Sequence, residues 1–251
     1  MVESNQTDGG SAAGLEGLLL ARFADGRVAA AVYTVPIERA RAAVLPKQLH
    51  PVELPGRRAL VLICTFDYLE STLGPYRELA VGVVVRTKPH SGAFSALDLF
   101  STSPDTGAWI LSMPVTSETA RAYGVELFGF PKTLRSIDVQ ASTKICTTTV
   151  SEAGQRLLMT EVPLARGLKF PVPWLVTYTQ KDGAVIRTRI KTKWWVTLSP
   201  GSGARIELAQ GDHPIARELA QLELSKSPLF VLHGDRLKAI LPAGERIEPI
   251  R

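Results

Sequence analysis

The sequence predicts a mainly β protein of the α+β class, in which an antiparallel sheet closes into a barrel and a few short helices lie at the periphery. Arg58 to Phe66 and Leu79 to Arg86 are nearly continuous apolar runs that are too short for typical helices, so each is predicted to be a strand buried on both faces. In the second half of the chain, short strands alternate with turn signals, as expected of an antiparallel sheet that closes or folds over. A closed barrel accounts for both observations.

The first half of the chain contributes further elements. Val28 to Val35 is a run of small and β-branched residues typical of a strand. Pro36 to Ala43 is predicted to be a short helix, because proline stands at its first position and an acid in its first turn. A second helix is predicted to begin at a cap provided by Thr116 or Ser117 and to end at Gly124.

The second half is predicted to be mostly strands. Four of them are Leu134 to Ser142, Lys144 to Ser151, Gln155 to Val162 and Trp174 to Thr179. Asp182-Gly183 is a strong hairpin signal. A late helix from His213 to Leu222 and a final strand from Leu229 to Ala239 complete the prediction.

The domain organisation is simple. The chain has 251 residues, of which 45% are hydrophobic, and no long Gly/Ser/Pro linker divides it, so residues 15–251 are predicted to form a single domain. Residues 1–14 are polar and rich in glycine, and we expect a disordered N-terminal tail. Neither a signal peptide nor an apolar run of roughly 18 residues is found, so a cytoplasmic protein that does not enter a membrane is expected.

Several function classes are disfavoured. The two cysteines, Cys64 and Cys146, have no C-x-x-C spacing and are interpreted as small core residues, and the four histidines show no metal-ligand spacing, so no metal is predicted. A net charge of +5 comes without a basic block or a nucleic-acid motif, so nucleic acid is not expected as a partner. Motifs of nucleotide sites and of serine hydrolases are missing, and we expect no cofactor.

A basic ladder precedes two tryptophans. Because strand side chains alternate, a strand here would place four charges on one face: Arg187, Arg189, Lys191 and Lys193. That face is interpreted as solvated, with a subunit contact or an acidic ligand as the alternatives. Trp194 and Trp195 would send one ring to each side of the sheet, where a ring could anchor the core or form the wall of a ligand cavity.

The segment Phe128-Gly129-Phe130-Pro131-Lys132 suggests reactive chemistry. An apolar wall raises the cost of an ammonium ion more than that of an amine, so a lysine held there loses its proton more easily and can attack a carbonyl carbon. Glu78 opens a strand that is otherwise apolar, and a carboxylate entering a core needs a partner. It is either an edge glutamate paired with Arg77 or Arg86, or part of a site.

Most of the chain resembles the acetoacetate decarboxylase superfamily. A family segment close to R-E-L-x-x-Y/F-P-K-K carries a lysine that forms a Schiff base, and residues 125–133 here are V-E-L-F-G-F-P-K-T. Residues 73–78, L-G-P-Y-R-E, resemble the family segment with an active-site glutamate, at nearly the same distance before the lysine. Residues 45–49 and 211–214 add weaker similarity. Two motifs in register are more specific than either alone.

The resemblance implies a cone-shaped antiparallel β-barrel with a buried pocket, often in homo-oligomers. It implies that Lys132 is the Schiff-base nucleophile and that Glu78 positions or exchanges protons near it. Arg27 lies near the position of the family's substrate-binding arginine. Phe128 and Phe130 would contact the substrate beside the lysine.

Two departures from the family pattern narrow the prediction. Thr133 stands where the family has a second lysine, and Ile63 or a close neighbour stands where decarboxylases carry another glutamate. An ordinary lysine, with a pKa of about 10.4, is neutral in only roughly one molecule in 2,500 at pH 7. Burial must therefore lower the pKa of Lys132, with Arg135 as a more distant contributor.

Three functions are compatible with the sequence. The first is a lyase acting on a keto acid or related carbonyl compound through Lys132 and Glu78, by decarboxylation, aldol chemistry or dehydration. The second is a cyclase that shapes a larger product without a Schiff base. The third is a non-catalytic barrel that binds an apolar ligand or acts as a subunit.

Overall fold

The computed structural model describes residues 20–88, 105–209 and 213–247. The strands, β1 to β17 in chain order, are Ala21–Pro36, His50–Pro51, Arg58–Ser71, Tyr76–Arg86, Thr106–Val115, Lys132–Leu134, Ser136–Ala141, Ile145–Glu152, Gln155–Pro163, Leu168–Pro171, Trp174–Lys181, Ala184–Lys193, Trp195–Pro200, Arg205–Leu208, Phe230–Gly234, Lys238–Leu241 and Glu245–Ile247. The helices, α1 to α3, are Ile37–Ala43, Glu118–Phe128 and Pro214–Gln221. The predicted tail, residues 1–14, lies outside the described residues, as do Gly211 and Asp212.

Seven strands close into a barrel. The pairing runs β1, β3, β4, β5, β11, β12 and β16, and β16 then pairs with β1 to complete the circle. Of these pairs, β5 with β11 is parallel and the others are antiparallel. The predicted closed barrel is confirmed, with this one parallel pair as an addition.

The barrel strands β3 and β4 are buried on both faces over most of their length, because each face meets a different core. In β3, Leu62 and Cys64 face the interior of the barrel, while Val61 and Ile63 belong to a second hydrophobic core outside it. The alternation follows from the two-residue period of a strand. It explains why these segments are nearly continuous apolar runs rather than alternating ones.

The second core lies under a separate antiparallel sheet of four strands, in the order β14, β9, β8, β7. Val150 and Leu158 on this outer sheet are fully buried, together with Leu219 of α3. A hydrogen bond of 2.9 Å joins the hydroxyls of Thr65 on the barrel and Thr148 on the outer sheet. The outer sheet therefore covers one side of the barrel and leaves the interior to form a cavity.

Two predicted boundaries were wrong. Helix α2 does not end at Gly124 but continues to Phe128, because Gly129 adopts the left-handed conformation that ends it, with φ of 65°. The predicted final strand is two strands, β15 and β16, since the chain turns between them at Arg236, where φ is 58°. They pair with different parts of β1, so the break allows one long strand to join two neighbours.

Other local predictions are confirmed. Asp182 and Gly183 have φ of 49° and 75°, the left-handed pair expected of a tight hairpin between β11 and β12. The late helix is α3, and the Nδ1 atom of His213 caps it by accepting a hydrogen bond from the backbone N–H of Ile215, at 3.3 Å. Trp194 is buried against the cavity, whereas Trp195 is 63% exposed, so the two rings lie on opposite sides.

Candidate active site

Lys132 and Glu78 meet inside the barrel. The Nζ atom of Lys132 lies 2.7 Å from Oε2 of Glu78, and the two side chains are only 6% and 7% exposed. Both residues line the cavity. The two sequence motifs, separated by more than 50 positions, therefore form one buried acid–base pair.

The pair is assembled across strand β5. Glu78 is on β4, where its backbone lies opposite Val115 of β5. Lys132 begins the short strand β6, which runs parallel to β5 and pairs with it at Met113. The neighbours of β5 thus bring the two side chains into contact.

Helix α2 shapes the space occupied by the lysine. Ser117 caps its N-terminus by accepting a hydrogen bond from the backbone N–H of Ala120, at 3.2 Å. Gly124 lies in the buried middle of the helix, and a Cβ atom built there would be 2.6 Å from both Cδ and Cε of Lys132. The missing side chain leaves room for the aliphatic part of the lysine.

The cavity has a volume of about 740 Å³ and a mainly apolar lining. The ring of Tyr76 lies 5.5 Å from Nζ of Lys132, and that of Phe130 lies 5.7 Å away. Four rings form a continuous cluster on this wall: Phe23, Phe66, Tyr68 and Tyr76. The amine therefore faces an aromatic, poorly hydrated environment.

Several groups around Glu78 are held in their neutral forms. Burial, and secondly the charge of Glu78, raises the pKa of the Tyr68 and Tyr76 hydroxyls well above 10. The same two causes raise the pKa of the Cys64 thiol above its ordinary range. At neutral pH these three side chains act as neutral hydrogen-bonding or apolar groups, not as bases or nucleophiles.

The predicted substrate-contacting residues have different positions. Phe130 lines the cavity as expected. Phe128 is buried behind it, with ring centroids 5.6 Å from Phe130 and 5.5 Å from Tyr123, so it supports the wall without lining the cavity. Arg27 is exposed on β1 and does not line the cavity, whereas its neighbour Val28 does. A substrate-binding role for Arg27 is not supported, because the alternation of the strand turns its side chain outward.

Thr133 and Ile63, the two departures from the family pattern, both lie outside the cavity lining. Thr133 is exposed and follows Lys132 on a strand, so its side chain projects away from the cavity. Ile63 packs in the outer core, and its neighbours Leu62 and Cys64 are the ones that line the cavity. Of the predicted position, Ile63 or a close neighbour, the neighbours Leu62 and Cys64 are therefore the residues that face the cavity, and neither is a carboxylate.

A charged cluster at the cavity wall was not predicted from the sequence. Arg187, Arg189 and Glu245 line it, and the guanidinium of Arg187 lies 3.0 Å from Glu245 and 3.3 Å from Asp105. Arg189 lies 3.4 Å from Glu245. The basic ladder was visible in the sequence, and its solvated face is confirmed for Arg189, Lys191 and Lys193. Arg187 is only 15% exposed, because the chain returns in β17 to pair with it.

No cluster of His, Cys, Asp and Glu suited to a metal ion occurs within the described ranges. None of the helices described is long and apolar enough to cross a membrane. Cytoplasmic location and homo-oligomerisation stay predictions.

Comparison with known proteins places this chain in a family. Residues 9–171, well over half of the 251, match the sequence profile of the acetoacetate decarboxylase (ADC) family. The chain belongs to the acetoacetate decarboxylase family. This confirms the resemblance drawn from the two motifs, and membership supports lysine-dependent carbonyl chemistry in general. A search of curated protein sequences gave no match.

Solved structures share the fold at low sequence identity. An acetoacetate decarboxylase is 20% identical, with a TM-score of 0.68 over 90% of this chain and 88% of that one. The enduracididine biosynthesis enzyme MppR, in complex with pyruvate, is 13% identical, with a TM-score of 0.64 over 91% and 90%. An acetoacetate decarboxylase-like enzyme from Sphingomonas wittichii RW1 is 15% identical, with a TM-score of 0.63 over 98% and 100%. At these identities the likeness shows a common fold.

Proposed function

We propose that this member of the acetoacetate decarboxylase family forms a Schiff base between Lys132 and a carbonyl substrate, with Glu78 as the proton-handling partner. The observation that carries the proposal is the buried contact of 2.7 Å between Lys132 Nζ and Glu78 Oε2 at the wall of an apolar cavity. A buried ionisable pair at a cavity wall is a candidate reactive site on physical grounds.

The pair provides a complete proton path for imine formation. Transfer of a proton from the Lys132 ammonium to Glu78, across their contact of 2.7 Å, leaves an amine and a carboxylic acid. The amine nitrogen adds to the carbonyl carbon, and one of its protons moves to the carbonyl oxygen. Glu78 protonates that oxygen again, water leaves, and a protonated imine remains beside the Glu78 carboxylate. The same carboxylate can then accept a proton from the α-carbon, which yields an enamine.

The surroundings of the pair support an enamine formed by loss of an α-proton over one formed by loss of CO2 from a small keto acid. Within the described ranges, the arginines that line the cavity are Arg187 and Arg189, and both are engaged with Glu245. Glu78 and Glu245 are the carboxylates lining it in those ranges. In the part of the chain that the structure describes, no further arginine lines the cavity to hold a substrate carboxylate next to Lys132, and we propose aldol, retro-aldol or dehydration chemistry.

Reductive trapping tests the nucleophile. Cyanoborohydride with pyruvate, acetoacetate and simple methyl ketones should add the mass of the reduced imine at Lys132, located by peptide mapping. Pyruvate is included because MppR, a protein with the same fold, is described in complex with it. Lys132→Arg should abolish the adduct, and Glu78→Gln should slow its formation about a hundredfold. Lys144→Ala, at an exposed lysine, is the matched control. Labelling confined to surface lysines would refute the proposal.

A second function has one observation in its favour. The cavity is large and mainly apolar, as expected of a cyclase or an apolar-ligand binder that works without a Schiff base. In that case Lys132→Ala would retain most turnover or ligand binding. Under the Schiff-base proposal it would lose both trapping and turnover.

A further inference from the structure

We infer that the substrate is an uncharged carbonyl compound with an extended apolar tail, whose carbonyl group meets Lys132 and whose tail runs through the barrel toward the opening of the cavity. The inference rests on the proposed function for the position of the carbonyl group. The size, direction and lining of the cavity carry the remainder.

The size of the cavity favours a ligand larger than a small keto acid. A cavity of about 740 Å³ holds roughly 20 to 25 non-hydrogen atoms at about 30 Å³ each, the volume of a molecule in liquid water. Pyruvate or acetoacetate would occupy a small part of it and leave apolar wall facing water. Filling that wall is favourable, because apolar surface removed from water stabilises a complex in proportion to its area.

The strand register gives the cavity a direction. Lys132 lies beside Met113 of β5, while residues 106–108 of the same strand also line the cavity. Ala108 is five positions before Met113, which corresponds to about 16 Å along a strand. Strand β11 continues this wall, since Thr177 pairs with Ala108 and Trp174 lies three residues further out. The cavity is therefore elongated along β5 rather than compact around the lysine.

Exposure shows which end is open. Lys132 and Glu78 are almost inaccessible to solvent, whereas Trp174, Arg189 and Glu245 line the cavity and are 43%, 47% and 51% exposed. The reactive pair is at the closed end, and these three residues are at the opening. A molecule entering carbonyl-first would leave its tail along β5 and its far end near Trp174.

The character of the lining sets the chemistry of the tail. Between the two ends the wall is aliphatic, with Val32, Leu62 and Ile110 among its residues. At the opening, Arg187 and Arg189 are balanced by Glu245 and Asp105 in ion pairs. A neutral, paired rim gives no net attraction to an anionic tail, so an uncharged hydrocarbon tail fits both regions.

A homologous series of methyl ketones, from 2-butanone to 2-nonanone, tests the inference by trapping with cyanoborohydride. The ketone concentration that gives half-maximal adduct at Lys132 should fall about three- to fourfold for each methylene, and at least about a hundredfold over the series. Equal concentrations for the short and long ketones would overturn the inference while leaving the Schiff base intact.

The matching secondary alcohols, 2-butanol to 2-nonanol, separate the two proposals because they cannot form an imine. Their binding, followed by tryptophan fluorescence, should tighten with chain length in the same way. If the alcohols bind more tightly with chain length but no ketone forms an adduct, the Schiff base is refuted and the inference of an apolar tail stands. If binding does not tighten with chain length in either series, the inference of an apolar tail is refuted.

Ala108→Phe adds a ring to the wall about 16 Å from the level of Lys132. It should lower the preference for 2-nonanone over 2-butanone at least about tenfold, because the path of the tail is blocked. Ala141→Phe, at an exposed position of the outer sheet, is the matched control and should leave the preference unchanged. Thermal unfolding verifies that each variant folds, and Ala108→Leu replaces the larger change if Ala108→Phe does not. An unchanged preference in a folded Ala108 variant would overturn the assigned direction.

Discussion

Gly124 and Lys132 are in direct contact: a Cβ atom at Gly124 would lie 2.6 Å from the Cδ and Cε atoms of Lys132 and 3.3 Å from its Nζ atom. Glycine in the middle of a helix destabilises it by about 1 kcal/mol relative to alanine. Glycine at this position therefore lowers the stability of the helix, but it leaves the room that the lysine needs beside Glu78. Gly124 acts as a positioning residue, because it determines where the side chain of Lys132 can lie.

Gly124→Ala should separate fold from reactivity. The clashing atoms belong to the end of a flexible side chain, so Lys132 can move aside and the protein should remain folded. Because the lysine then leaves Glu78, the rate of reductive trapping at Lys132 should fall by about 10- to 100-fold, the usual cost of a misplacement near 1 Å.

Val125→Ala, at an exposed position on the same helix, is the control and should leave the trapping rate unchanged. Melting temperatures verify that both variants are folded. A trapping rate in Gly124→Ala equal to that of the wild type would show that the lysine has room elsewhere.

The buried pair should be strongly coupled in stability. Glu78→Gln or Lys132→Met alone removes one member of a pair that is more than nine-tenths buried, and each should lower the free energy of unfolding by about 3–5 kcal/mol. The double variant leaves no lone buried charge, so it should recover most of that loss. Urea unfolding of the four proteins gives the coupling energy. Additive effects of the two changes would mean that the groups do not form an ion pair in the folded protein.

Restoring the missing lysine should have little effect. Thr133 is exposed and projects away from the cavity, so an ammonium group in Thr133→Lys would be in water. Water screens the interaction between that ammonium group and Lys132, so the trapping rate should change by less than about threefold. The pH dependence of trapping in the two proteins provides the measurement. A large shift of the pH midpoint toward lower pH would show that residue 133 reaches Lys132 after all.

Alkaline pH should destabilise the fold through its tyrosines. All five are buried, and burial raises the pKa of Tyr33 and of Tyr178 to about 12. A raised pKa of an acid means that the folded state retains the proton where the unfolded chain has lost it. The stabilisation is therefore complete below about pH 10 and decreases as pH rises toward 12, by roughly 2 kcal/mol per tyrosine at pH 12.

Unfolding by urea at several pH values from 9 to 12 tests this, with tyrosinate absorbance as a second readout. Tyr33→Phe should have a shallower decrease than the wild type over the same range. Identical slopes for the two proteins would show that Tyr33 ionises in the folded state as readily as in the unfolded chain.

Local patterns were sufficient for much of the fold. The apolar runs of β3 and β4 and the Asp182-Gly183 turn were recognisable, since each depends on neighbouring residues. Strand β5 was not predicted, although it forms the wall of the candidate site. It contains Gly107 and Pro114, which disfavour a strand locally. Its strand conformation comes from pairing with β4, β6 and β11. Of these three strands, β11 is distant in sequence.

By itself, the sequence determined the candidate nucleophile, its carboxylate partner and the aromatic residue Phe130, because these belong to short motifs that need no knowledge of distant contacts. Only the tertiary structure decided which side chains share the cavity with them. A shift of one residue along a strand turns a side chain to the opposite face, so Arg27 and Ile63 proved to face away while Val28 and Cys64 face the interior. The size and direction of the cavity likewise depend on barrel closure, which sums pairings across the whole chain and is encoded in no single segment.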